Sequence, residues 1–315
     1  MMPIAAKTSR VRRLPAKSAT QCAPRHKIAA PWLLRRVDGM QILELAPLKK
    51  IPWLVHGFST RTGGASLRNS GERVLNLGFT DWDTRENVLK NRNAFQSAIG
   101  AADSPVVLLK QFHSAVALFY AEPPAEPHKG DASLTNSRGI LLGVQTADCV
   151  PILLVDPKQR AVAAIHAGWR GTLARIAEKT VGEMRMRFGS KPADIVAALG
   201  PAIGGCCYEV GTELVTEFTS QFAGAAEYFD EPRTGEEPNP LQWLNMMPPG
   251  HQPPPKNVRL DLRKANRSQL LSAGLRDASI FVSNLCTACH TDLFFSYRKE
   301  GENSGRLFAA IGIRK

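Results

Sequence analysis

No apolar run in this sequence reaches the roughly 18 residues that a membrane-crossing helix needs, so no membrane partner is expected. Acidic residues are missing from the first 36 positions, which carry nine Lys or Arg. Cysteines are few, six in all, with no regular spacing and with Cys206 and Cys207 adjacent. That excludes the disulfide framework of a small secreted domain and favours a reducing, cytoplasmic setting. Histidines number only seven, which limits how many metal sites imidazole can build. No segment repeats, and no basic stripe interleaved with aromatics runs along the body. Nucleic acid is therefore not an expected partner, although the net charge is +12.

The charge has a simple location. Beyond residue 36 there are 31 basic and 28 acidic side chains, so the body is nearly neutral. Residues 1–40 read as a basic, disordered N-terminal extension. An Arg-rich, acid-free stretch also suits an organelle transit peptide, the second reading of the same segment. What is present in quantity is apolar: 43% of 315 residues, enough for a sizeable core. Residues 41–315 read as one globular domain, interrupted by a Pro-rich insertion at 231–256 with eight prolines.

Within that domain the spacing predicts a helix over 83–100, capped by Asp83, with Val88, Leu89 and Phe95 inward. Residues 105–120 alternate as a strand pair or bent strand. Residues 140–200 read β-β-β-α-β, with the helix beginning at Thr172. Further helices fall at 213–222 and after residue 265, and strands at SIFVSN and GRLFAAIGI. Strands and helices mix without strict alternation, which predicts an α+β fold of mixed β-sheets layered with helices.

One hairpin carries chemistry. In TADCVPILLVDPKQRAVAAIHAGWRGT two apolar strands flank the turn Asp156-Pro157-Lys158-Gln159. A turn centred between Pro157 and Lys158 sets Cys149 opposite His166, with Cβ atoms about 5 Å apart. Side chains so placed can share a metal ion. The best third ligand is His113 in KQFHSA, since His56 and His128 lie in turn or loop sequence. Two His and one Cys suit zinc and leave a fourth position open; copper fits the same donors, though no blue-copper methionine is evident. Against this stands the ordinary fate of a lone core Cys, which is to be a small hydrophobe.

After His166 comes AGWRGT, a strand, a glycine turn and a helix start. Unpaired amides there favour an anion. Gly168 and Gly171 permit close backbone approach, Thr172 can cap the helix, and Arg170 can bind phosphate. The alternative is an ordinary turn with a surface Arg. Cys286-x-x-Cys289-His290 has the spacing of a haem attachment site, but an apolar Leu293-Phe294-Phe295 run follows it. A second zinc there lacks a partner pair.

The segments HGFSTRTGGAS, LNLG, KQFHS, GDASLT, TADCVPILLVD, AAIHAGWRGT, ALGPAIGGCCYEVG and FFSYRKEGENSGR occur in this order over residues 50–314. Together they resemble the laccase-domain family, originally described as multicopper polyphenol oxidases. The resemblance implies purine nucleoside phosphorylase activity on adenosine, inosine, guanosine and S-methyl-5′-thioadenosine, with adenosine deaminase activity. It also implies zinc held by His113, Cys149 and His166. The family's Q-x-H-G has Ser114 in place of its glycine here. On this reading Arg170, Arg61 and Arg298 orient phosphate, Asp148 carries a proton or orients a ligand, and Gln111 and Asn76 bond base or ribose. The competing classes are a copper polyphenol oxidase and a hydrolase with Cys149 as nucleophile, the latter suiting the editing of cell-wall peptides.

Overall fold

The computed structural model describes residues 28–230 and 257–315. The basic stretch before residue 28 and the Pro-rich 231–256 segment lie outside the described residues. Residues 28–40, assigned from sequence to the extension, belong to the folded body instead. Strand β1 (Trp32–Val37) pairs with β2 (Met40–Leu45). Trp32 packs edge-on against Phe58 with ring centroids 5.4 Å apart, and Arg35 pairs with the buried Glu44. The two arginines of WLLRRV hid this strand from a reading based on charge.

Helix α1 (Ala46–Lys49), β3 (Leu54–Ser59), β4 (Thr62–Leu67), β5 (Arg73–Val74), α2 (Arg85–Ala98), β6 (Val106–Leu108), β7 (Ala117–Phe119) and β8 (Ala132–Thr135) follow. Next come β9 (Leu141–Thr146), β10 (Val150–Asp156), β11 (Ala161–Ala167), α3 (Trp169–Leu173), α4 (Ile176–Phe188) and β12 (Val196–Leu199). The chain continues through β13 (Glu209–Gly211), α5 (Glu213–Gln221), β14 (Phe229–Asp230), β15 (Asn257–Leu260), α6 (Leu262–Ser272), β16 (Ile280–Val282), α7 (Tyr297–Glu300) and β17 (Leu307–Ile313).

Two six-stranded sheets form the centre, in the orders β1-β2-β3-β17-β9-β6 and β16-β12-β10-β11-β8-β7. Both are mixed: β6 with β9, β7 with β8 and β12 with β16 are parallel pairs. Alternation along each strand sends side chains to opposite faces. From β17, Leu307, Ala309 and Ile311 meet Leu153, Val155 and Val162 of the other sheet. Phe308 and Ala310 turn the other way, towards Phe95 of α2. Ile152 and Leu154 face Val181 of α4 and Leu270 of α6. The result is helix, sheet, sheet, helix, the expected α+β layering. Burial on both faces explains the near-continuous apolar runs of β10 and β11. Each such Leu, Ile or Val contributes about 1.5–3 kcal/mol. Among the described residues no helix is long and apolar enough to cross a membrane.

Local expectations need correction in four places. Helix α2 is capped by Thr84, whose side chain accepts from the Asn87 amide. Asp83 instead accepts from Ser66 and Asn76. Leu89 faces solvent, because the inward stripe runs through Val88, Asn91 and Phe95. Segment 105–120 is neither a hairpin nor one bent strand: β6 and β7 lie in different sheets. The helix after His166 is broken by Arg175 in the left-handed region (φ 64°), giving α3 and α4. Thr172 is therefore inside α3, where its hydroxyl accepts from Asn266, and is not a cap.

His56 of β3 is buried, and its Nε2 accepts the Leu45 amide of β2. Burial is the main cause that pushes its pKa down to about 4. Below about pH 6.5 the unfolded chain takes a proton that the folded chain refuses. Stability should thus fall by about 3 kcal/mol between pH 6.5 and pH 4 from this residue alone. His56→Gln keeps an acceptor without a titration, so chemical denaturation at both pH values should show that part of the slope removed.

Candidate metal centre and cavity

Hairpin β10–β11 places His166 opposite Pro151, so the expected pairing of Cys149 with His166 is two residues out of register. The connection is longer than expected. Residues 157–160 all lie in the loop, with Asp156 Oδ1 accepting from the Lys158 and Gln159 amides and Arg160 at φ 48°. A shift of two keeps every side chain on its face, because the strand period is two. Cys149 therefore still lies on the side of His166, one step along it.

The ligand atoms of His113, Cys149 and His166 lie within 4.8 Å of one another. The two imidazoles stand edge to face, centroids 4.9 Å apart, and Cys149 Sγ is 3.8 Å from His113 Nε2. His113 adopts φ 63°, rare for a side-chain-bearing residue. Asp131, fully buried, holds it there. Asp131 Oδ1 accepts from the His113 amide (3.0 Å) and from His166 Nδ1 (2.8 Å). Oδ2 accepts from the Ser114 amide (2.7 Å) and hydroxyl (2.6 Å). A carboxylate only accepts, so His166 carries its proton on Nδ1 and leaves Nε2 for a ligand.

The electrostatics agree with the geometry. Burial works to raise the Asp131 pKa, but the hydrogen bonds from His166 and Ser114 outweigh it and hold the carboxyl at about 2. Burial also raises the Cys149 thiol, yet the His166 charge and hydrogen bonds from both imidazoles bring it down to about 6. His166 is lowered by burial and raised more by Cys149 and Asp131, to about 9. A Cβ on Gly168 would sit 2.7 Å from His113 Cδ2 and 3.1 Å from Cys149 Sγ. The glycine therefore opens the cradle in which the three donors converge. Two imidazoles and a thiolate, one imidazole oriented by a buried carboxylate, are a donor set suited to a divalent metal.

The three donors open onto a cavity of about 760 Å³. Asp148, Arg170, Arg298 and Gln111 also line it, as does the unexpected set Lys110, Trp169, Tyr208, Tyr297 and Arg306. Burial raises the Asp148 pKa, while the Thr287 hydroxyl bonds Oδ1 and the Arg298 amide bonds Oδ2. The Arg170 guanidinium lies over the Trp169 ring and that of Arg298 over Tyr208. Burial, then the nearby Cys149 charge, pushes the Tyr208 hydroxyl up to about 12. Gln111 reaches the wall with its amide occupied, donating to the Gln145 carbonyl and accepting from the Gln145 amide. A Cβ on Gly171 would meet the Ser114 carbonyl at 2.9 Å, so this glycine serves packing behind the donors.

Arg61 and Asn76 do not line this cavity. Arg61 is buried under Phe295, donates to the Thr291 carbonyl, and pairs with Glu300 at 2.9 Å. A buried guanidinium requires such partners, and the Glu300 and Glu72 carboxylates neutralise it away from the cavity, while its buried Nε is left without a partner among the described residues. Asn76 donates to the Gly78 carbonyl and Asp83 and accepts from the Gly78 and Arg306 amides. It organises the turn that supports Arg306.

The family model described as multi-copper polyphenol oxidoreductase laccase matches residues 55–314. The chain belongs to this family. A purine nucleoside phosphorylase of Deinococcus radiodurans is 37% identical over 85% of this chain and 93% of its own length. Adenosine deaminase RL5, from an unknown prokaryotic organism, is 38% identical over 82% of this chain and 93% of its own. The crystal structure of a Bacillus licheniformis hypothetical protein, YfiH, superposes with a TM-score of 0.74 at 29% identity, covering 91% of this chain and all of that one. With relatives of this kind the chain is an enzyme. Asp131 lies in the GDAS element and Arg306 closes the GENSGR element, so both stood in segments that carried the resemblance without being given a role.

Proposed function

We propose that the chain is a zinc-dependent purine nucleoside phosphorylase that also deaminates adenosine. Its substrates would be adenosine, inosine, guanosine or S-methyl-5′-thioadenosine with phosphate, and its products free base and ribose 1-phosphate or the 5-methylthio analogue. One observation carries the reading. Three metal-competent side chains open onto a cavity rimmed by Lys110, Arg170, Arg298 and Arg306 beside Trp169, Tyr208 and Tyr297. Its volume suits a nucleoside with phosphate, and the names of the relatives point to the same substrates.

Glycosidic cleavage leaves positive charge on the sugar and negative charge on the departing purine. The cations hold phosphate against C1′, and the aromatic rings stack the base. Asp148, whose pKa burial raises, stands at the cavity wall where the leaving purine would take up a proton. A zinc ion held by His113, Cys149 and His166 would supply polarisation of a substrate oxygen or activation of water.

A second reading has support in Cys149 itself, whose lowered thiol sits 3.8 Å from His113 Nε2 as in a Cys–His hydrolase. A multicopper oxidase is less well served: among the described residues the other metal-competent group is made of four cysteines, with no further imidazole cluster. The test is to incubate zinc-loaded protein with adenosine, with and without phosphate. Adenine formed only with phosphate, and inosine formed in either case, are expected. Absence of both products contradicts the proposal.

A further inference from the structure

Beside the cavity the described residues hold a second convergence of sulfur. Cys206, Cys207, Cys286 and Cys289 place their sulfurs within 4.8 Å of one another. Cys289 Sγ is 3.3 Å from Cys207 Sγ and 3.6 Å from Cys206 Sγ. Four thiolates around one zinc, at bonds of about 2.3 Å, stand about 3.8 Å apart. These sulfurs therefore need little adjustment to surround a single tetrahedral ion, and are too close together to embrace a multi-iron cluster.

Read from the sequence, Cys286-x-x-Cys289 had no partner pair. The fold supplies one by laying segment 202–208 along segment 285–290. Ala202 bridges Cys286, and the Thr287 amide donates to the Ala202 carbonyl at 3.1 Å. The Gly204 amide donates to Cys286 Sγ at 3.2 Å, a bond that favours a thiolate there. Ile203 and Ala288 give the cluster a buried apolar shell. Cys286 and His290 are themselves buried, which leaves no exposed edge for a haem.

We propose that Cys206, Cys207, Cys286 and reduced Cys289 hold one zinc ion as a structural clamp on the cavity wall. In this structure Cys289 is disulfide-bonded, to none of the other three. The site is therefore formed after a dithiol reductant opens that bond. The reductant delivers two electrons and two protons to the two sulfurs and is itself oxidised to a disulfide; zinc then displaces the thiol protons. The clamp's location gives it a consequence. The Ile203 amide donates to the Asp148 carbonyl (2.9 Å), and the Thr287 hydroxyl donates to Asp148 Oδ1 (2.6 Å). Tyr208 follows Cys207 directly. An ion joining the two segments fixes Asp148 and Tyr208 together.

The proposal stands apart from the nucleoside reading and is tested without turnover. Full-length protein is stripped of metal, kept in dithiol reductant, and titrated with Zn²⁺. Two equivalents per chain are expected. The Cys149→Ala chain should keep one, and the Cys207→Ser/Cys286→Ser chain should lose the other. If the double variant does not fold, Co²⁺ loaded into the Cys149→Ala chain decides, because four thiolates give an intense sulfur-to-cobalt charge-transfer band. A Cys149→Ala chain that takes up no metal, or a Co²⁺ spectrum without thiolate ligation, overturns the proposal.

Discussion

Cys149→Ala should empty the cavity of its metal and lower nucleoside turnover by on the order of 10³-fold or more, since a catalytic metal is worth several kcal/mol and each 1.36 kcal/mol is tenfold. The variant removes the one anionic donor of the three and leaves two neutral imidazoles to bind a dication. The fold should persist, because Cys149 lies just outside β10 and its backbone makes no rung of the β10–β11 ladder. Metal analysis, far-ultraviolet circular dichroism and the adenosine assay on one preparation separate these effects. Retained turnover with metal absent would remove the metal from the chemistry.

Asp131→Asn should weaken metal binding by about 10–100-fold, the usual cost of losing the partner that orients a ligating imidazole. It should also lower stability by roughly 3 kcal/mol. The carboxylate accepts five hydrogen bonds, two on Oδ1 and three on Oδ2, the Phe112 amide giving the longest at 3.4 Å. An amide has one oxygen. Whichever way it is turned, its NH₂ confronts donors. If it faces Ser114, the hydroxyl can rotate but the backbone amide is left unpaired. If it faces His166, the imidazole must give up its Nδ1 proton and turn the wrong tautomer to the metal. His113, held at φ 63° by the same carboxylate, loses that support. Zinc titration calorimetry and thermal unfolding in chelator measure the two effects separately. Unchanged affinity would show that Asp131 only braces the loop.

Much of this was legible in the sequence because it rests on local periodicity. The apolar runs of β10, β11 and β17 and the helix α5 follow from side-chain alternation and turn chemistry. The convergence of Cys149 with His166 was also legible, even with the register wrong, because an error of two preserves the face. Asp131 was not. A buried carboxylate reads as an ordinary loop acid until the fold brings His113, Ser114 and His166 around it. Arg61 and Asn76 misled for the opposite reason. Polar residues in glycine-rich turns look available for substrate, whereas their partners Glu300 and Arg306 lie more than two hundred residues away in the chain. The four-cysteine group could not be paired from spacing, since its halves come from separate loops that the fold brings together at the bridge between Ala202 and Cys286.

The most direct measurement is the alkylation rate of Cys149, followed by peptide mass spectrometry, in reduced metal-free protein with and without Zn²⁺. A thiol held near pKa 6 should react readily at neutral pH when metal-free, and Zn²⁺ should shield it while adenosine phosphorolysis appears. Equal labelling in both conditions would contradict the metal centre and leave Cys149 as a nucleophile.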